Sequence, residues 1–216
     1  MAPGICICAP SRNRTCDAGR DHSVEWNNLF ANFIDGLLLN EDNCEVRVTT
    51  PYEGLLFQGW DESKIIDSPL SLHECTVIEE WTDYNDHLSE SFFLYIFGDN
   101  TDAFFRYFGV DENYRLKGFS LYTVETHIRH LGQARLGDEI SCTIAVVGVA
   151  EKKLHLAHQM FRNNELIATG EQLILHVDMN AEKTVAFSDE VFSRLNQIRD
   201  SHMNLKYEWL NKAIRI

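Results

Sequence analysis

The stretch that decides the fold is Trp81-Thr82-Asp83-Tyr84-Asn85-Asp86-His87-Leu88-Ser89, followed directly by a phenylalanine-rich run from Ser91 to Gly109. Within that run Phe93, Ile96, Phe97, Phe104, Tyr107 and Phe108 recur at spacings of three and four, the signature of one apolar face on a long helix. Gly109 supplies a C-terminal stop. Gly98, in the interior, lowers helix propensity and is expected where another backbone approaches closely. Just upstream, Cys75-Thr76-Val77-Ile78 reads as a strand. Asp83 therefore sits on a polar turn between a strand and a helix start. A helix start carries unpaired N–H groups and the positive end of the dipole. A carboxylate beside such donors can attack a carbonyl, or activate water against it, while the donors stabilise its oxygen. The alternative role for Asp83 is to cap the turn or the helix.

After Gly109 the pattern changes. Residues Phe119 to Ile128, Ile140 to Val149, Leu154 to Arg162 and Leu166 to Val177 are β-rich. Asn163-Asn164 is a two-residue hairpin turn, Glu151-Lys152-Lys153 a second tight connection, and Gly137-Asp138 a third. A strand, one very apolar helix and then four strands joined mostly by short turns imply an α+β domain with an antiparallel meander wrapped around the helix. Ser188 to Met203 reads as a closing helix, with Asp189 and Glu190 favouring its N-terminus.

The chain has 216 residues, 44% of them hydrophobic and 24% charged, the balance of a globular protein of one ordinary domain plus an extension. Four segments follow: a disordered tail at 1–20, an extension of unassigned role at 21–70, the main domain at 71–187, and a C-terminal helical segment at 188–216. Within the extension, apolar spacing from Val24 to Leu39 predicts an amphipathic helix, and Cys44 to Val48 alternates as a short strand does. The net charge of −14 argues against a nucleic-acid partner. No apolar run approaches the roughly 20 residues that cross a bilayer, so no membrane association is expected. Three of the six cysteines, Cys6, Cys8 and Cys16, crowd the start, one ligand short of a structural zinc site. Cys75 and Cys142 fall on strand-like runs that suit a small hydrophobe. A reduced, cytoplasmic protein is the expectation, with no metal site and no cofactor of its own.

With the element order established, the sequence resembles the hotdog-fold acyl-CoA thioesterases of the 4-hydroxybenzoyl-CoA thioesterase type, and among them the betainyl-CoA thioesterase branch associated with carnitine metabolism. The match rests on Trp81-Thr82-Asp83-Tyr84-Asn85-Asp86-His87-Leu88 against the branch's W-x-D-Y-N-G-H-M. It extends through Phe93-Leu94, Asp99, Thr101 to Phe104, Gly109-Val110-Asp111, Tyr122 to Leu131 and Gly137-Asp138, covering about Leu72 to Val185. The resemblance implies a hotdog fold and a hydrolase releasing a carboxylic acid and free coenzyme A, which enters only as part of the substrate. It also implies a homodimer or dimer of dimers with sites at the subunit interface. Asp83 takes the catalytic position, with Asn85 and His87 as positioning groups and His87 as the alternative base. The backbone of Ser89, Glu90 and Ser91 would polarise the thioester carbonyl.

Trp81, Tyr84, Phe92 and Tyr122 are candidate walls for a trimethylammonium group. Glu125, His127 and Arg129 share one face of a strand and are candidate substrate contacts, while His127 and His130 fall on opposite faces. Arg135, Lys152, Lys153 and Arg162 are candidate partners for the coenzyme A phosphates. Two departures from the branch pattern stand out: Asp86 replaces glycine before the histidine, and Ser89 replaces the asparagine two places after it. Aspartate tolerates the left-handed conformation that glycine would supply. A second carboxylate so near Asp83, however, opposes an anionic transition state and keeps open a non-catalytic, acyl-CoA-binding or scaffold role.

Overall fold

The computed structural model describes residues 57–210. The tail at 1–20, the helix read over Val24 to Leu39, the strand at Cys44 to Val48 and Cys6, Cys8 and Cys16 lie outside the described residues.

Strand β1 (Leu70–Thr76) enters from a cis Ser68–Pro69 bond and leads through a single 3-10 turn (Glu79–Trp81) and the polar loop to helix α1 (Glu90–Phe108). Helix α1 ends where predicted. Gly109 takes φ +100°, and its N–H and that of Val110 both reach the Phe105 carbonyl. A short helix α2 (Glu112–Leu116), capped by the Asp111 carboxylate on the Tyr114 N–H, turns the chain into strand β2 (Phe119–His130). Strands β3 (Glu139–Ala150), β4 (Lys153–Arg162) and β5 (Glu165–Asp178) follow, then a two-residue β6 (Lys183–Thr184) and helix α3 (Asp189–His202). The Asn163-Asn164 turn has φ of +49° and +66°, the paired left-handed geometry of a tight hairpin. Ser188 caps α3 by accepting the Val191 N–H.

The strands pair antiparallel in the order β1-β3-β4-β5-β2, with β6 beside β5. This is the hotdog architecture. Only β3, β4 and β5 form the meander. Strand β2 crosses over to the far edge and pairs with β5 rather than with its successor β3, a placement the length of its connection left open. The crossing segment 131–138 is tied down by Leu131 and Gly132 N–H bonds to the Ile167 carbonyl.

The sheet curls over α1. Phe93, Ile96, Phe97, Phe104 and Phe108 are at most 3% exposed and meet Ile144, Leu154, Leu156, Met160 and Ile174 from the strands. Helix α3 adds Val191, Leu195 and Ile198 to the same core. The close backbone approach expected at Gly98 occurs elsewhere. A methyl at Gly98 would meet nothing within 4 Å, whereas one at Gly170 of β5 would press on the Phe97 ring at 3.1 Å. The sequence reading did not flag the polar seam within this face. Asn100 and Thr101, both buried, join His158 and Gln172: Asn100 Nδ2 lies 3.2 Å from His158 Nδ1, and His158 Nε2 3.1 Å from Gln172 Oε1. Thr101 Oγ1 completes it, 2.9 Å from Gln172 Oε1. Among the described residues no helix is long and apolar enough to cross a membrane.

Candidate active site

The loop between the 3-10 turn and α1 is a closed hairpin of its own. Thr82 and Leu88 form an isolated antiparallel bridge, and the Asp83 N–H donates to the His87 carbonyl at 2.8 Å. Asp86 occupies the tip at φ +59°, the left-handed conformation in which it stands in for glycine. The loop is moored at both ends, by Ser89 N–H to the Trp81 carbonyl and by Leu88 N–H to the Ala134 carbonyl. The second bond ties it to the segment entering β3. Asp83 is thereby held at the base of the loop, half-buried, and Tyr84 projects from the tip at 95% exposure.

The turn-capping role foreseen for Asp83 is visible in its hydrogen bonds. Its Oδ1 accepts the Asn85 N–H at 2.7 Å and, more weakly, the His87 N–H at 3.4 Å. One oxygen therefore fixes the carboxylate in the turn, and the other, Oδ2, makes no hydrogen bond among the described residues. His87 Nε2 is buried without a hydrogen bond among the described residues, an unused imidazole nitrogen on the same loop. Ser89, the N-cap of α1, makes no side-chain capping bond. The first N–H groups of the helix, on Glu90 and Ser91, point along the axis with no intrahelical acceptor.

The rings around this loop only partly match the expected set. Trp81 and Phe92 stack at 5.7 Å with planes 20° apart, and the third ring is Tyr95, 5.6 Å from Trp81 and 6.0 Å from Phe92. Tyr95 lies one helical turn beyond Phe92, a spacing that could have revealed it. Tyr84 does not join the cluster, and Tyr122 lies on β2. Glu125, His127 and Arg129 do share a face, with His127 Nε2 2.8 Å from Glu125 Oε1. A bulge at Val124 turns that face away from α1, since their partners Leu173, Glu171 and Thr169 alternate with the core-facing residues of β5. His130 points the other way and packs edge-on against Phe93 at 4.6 Å.

The four candidate phosphate-binding cations do not form one group. Arg135 neighbours the mooring point of the loop. Arg162 is committed there: it donates to the Gln133 carbonyl at 2.6 Å and to Glu165 at 2.7 Å, and lies 3.8 Å from Asp138. Lys152 and Lys153 stand at the opposite end of β4, about 30 Å away at the rise of a strand. A single phosphate cradle cannot use all four. The thiols of Cys75 and Cys142 are both pushed up by burial, that of Cys75 to about 12, which fits packing rather than reactivity.

A family model described as the thioesterase-like superfamily matches residues 77–195, from the end of β1 into α3. The chain belongs to the thioesterase-like superfamily. Among its relatives, the L-carnitine dehydrogenase/betainyl-CoA thioesterase of Rhizobium meliloti is 41% identical over 152 residues, 68% of this chain but 31% of that protein. The chain thus spans about a third of the length of that relative. The betainyl-CoA thioesterase of Pseudomonas aeruginosa is 32% identical over 139 residues, 63% of this chain and 87% of that one. A Staphylococcus aureus protein solved in complex with CoA superposes with a TM-score of 0.62 at 22% identity, covering 71% of this chain and 99% of that one, and so shares the fold.

Proposed function

We propose that this superfamily member is an acyl-CoA thioesterase, hydrolysing a thioester to a carboxylic acid and free coenzyme A, with betainyl-CoA as the leading substrate. The observation that carries the proposal is the divided carboxylate of Asp83, one oxygen locked by backbone N–H groups and the other free, on the loop that feeds the uncapped start of α1. The free oxygen either attacks the thioester carbon or takes a proton from the water that does. Negative charge that develops on the carbonyl oxygen is met by the N–H groups of Glu90 and Ser91 and by the helix dipole. Collapse of the tetrahedral intermediate breaks the C–S bond and releases coenzyme A as the thiol, once a proton is returned to sulfur. Attack by water leaves the carboxylic acid directly, whereas attack by Asp83 leaves a mixed anhydride that a water molecule then hydrolyses to the acid and the free carboxylate.

The acyl preference follows from the loop's surroundings. Trp81, Phe92 and Tyr95 present π faces beside a loop that carries Asp83 and Asp86, an environment that attracts a quaternary ammonium and disfavours an anionic acyl group. Asp83 is half-buried and Tyr84 projects from the loop tip at 95% exposure, which fits a site completed by a second subunit. We accordingly include a homodimer or dimer of dimers, acting in the cytoplasm, in the proposal. The test is thiol release from a panel of betainyl-, short-chain, branched and aromatic acyl-CoA. The expected result is fastest turnover of betainyl-CoA, falling at least about 100-fold in Asp83→Asn while coenzyme A still binds. Equal turnover in the variant, or no thiol from any member of the panel, would overturn the reading.

A further inference from the structure

The far end of α1 holds a cleft that the hydrolytic site leaves unused. The strap running from Phe57 to Ile66 lies across the last turns of α1 and the start of β1, enclosing about 610 Å³. Its floor is Ala103, a small residue on the helix, and its walls are Trp60, Tyr107, Ile66 and Leu72. Trp60 and Tyr107 meet edge to face at 5.8 Å, and the Trp60 indole is fixed from behind by an Nε1–H bond to Gln197 at 3.0 Å. The strap therefore presents the Trp60 indole in a set orientation, with the Tyr107 ring of α1 standing nearly perpendicular to it. Pockets of this size with mostly apolar walls and a few convergent polar groups are those that take small ligands.

The charges in the cleft have one sign to spare. Arg106, in the last turn of α1, lines it with no ion pair among the described residues, and Lys64 reaches it from the strap. Two acids offset part of this charge. Asp61, whose Oδ1 accepts both the N–H and the hydroxyl of Ser63 at 2.9 and 2.6 Å, is near enough to Lys64 to feel its charge. Asp67 acts on the Tyr107 phenol, which leaves Arg106 as the cation in excess. A guanidinium with no ion pair among the described residues, next to an oriented indole and phenol, is a recognition feature.

We infer that this cleft is a second ligand site, which takes a planar aromatic anion with its ring against Trp60 and Tyr107 and its carboxylate or phosphate on Arg106 and Lys64. The site is separate from the hydrolytic one. Seventeen residues of helix between Ser89 and Arg106 place it about 25 Å from the loop of Asp83.

The test is calorimetric titration of the full chain with two probes, 1-naphthoate for the carboxylate source and AMP for the phosphate source, each with and without saturating coenzyme A. Saturable one-to-one binding of at least one probe is expected, and the better probe names the anion. Arg106→Gln should weaken it about tenfold or more, and Ala103→Leu, which fills the floor and leaves every charge in place, should weaken it as well. Asp83→Asn and coenzyme A should leave it unchanged, so this site and the hydrolytic reading stand or fall separately. A failure of both probes to saturate into the millimolar range, displacement by coenzyme A, or equal affinity in Arg106→Gln and Ala103→Leu that melt like the wild type would overturn the inference.

Discussion

At Asp86 the chain places a carboxylate where its branch usually has glycine, and the backbone there adopts φ +59°. Only a few residue types hold that angle without strain, and aspartate is among them. Asp86→Gly is therefore expected to leave the unfolding midpoint in urea nearly unchanged, within about 0.5 kcal/mol, and to leave or raise turnover by removing a negative charge beside the reacting centre. A loss of turnover in that variant would show instead that Asp86 works with the substrate. The turn around Asp83 was legible in the sequence because its bonds are local: the Asn85 and His87 N–H groups reach the Asp83 carboxylate and the Asp86 N–H its backbone carbonyl, all within four residues. Arg162 was only half legible. Its ion pair with Glu165 is three residues away, but Gln133 and Asp138 are remote along the chain, so its bond across to the segment between β2 and β3 could not be read locally.

Among the elements, α1 was the most legible, since six apolar positions at helical spacing leave no other reading. Its glycine was not. Gly98 faces open space in the described fold, and the glycine that α1 does crowd is Gly170 on β5, under Phe97. Two substitutions of identical chemistry should therefore act in opposite directions. Gly98→Ala is expected to stabilise the folded state by roughly 0.5–1 kcal/mol through helix propensity. Gly170→Ala is expected to destabilise it, because its new methyl meets a ring held on both sides by core residues. Denaturant midpoints of the two variants, measured side by side, check both signs. The position of β2 was out of reach of local patterning. Alternation marks a strand but not its neighbour, and the order β1-β3-β4-β5-β2 is set by which faces need burial.

At the scale of the whole molecule, the buried histidines set how the fold responds to acid. Burial pushes His158 down to about 4, and His73, His176 and His202 also fall below the ordinary histidine value, with desolvation the largest cause in each. His158 is neutral in the folded protein wherever the unfolded chain would already be protonated, so the unfolded state binds more protons between about pH 6.5 and 4. Stability should therefore be full above pH 6.5 and decline as pH falls through that window. Urea midpoints at pH 7.5 and 5 should show the decline, and His158→Gln should make it shallower. A pH dependence unchanged in that variant would place the acid sensitivity elsewhere.

His202 carries a further consequence. Val146, on β3 beyond the reach of β1, donates its N–H to His202 Nδ1 at 3.0 Å, and His202 Nε2 lies 2.9 Å from the Asp67 carbonyl, inviting a donated hydrogen bond. One imidazole thus staples the end of α3 both to β3 and to the segment that leads into β1. The stretch that matches the superfamily, 77–195, contains neither Asp67 nor His202 and omits β1 altogether. The region that the family model shares with this chain is for this reason smaller than the set of elements the fold packs together. A fragment trimmed to the shared region would emerge with β3 as a raw sheet edge and half a helix missing from its core, a species suited to aggregation rather than to assay.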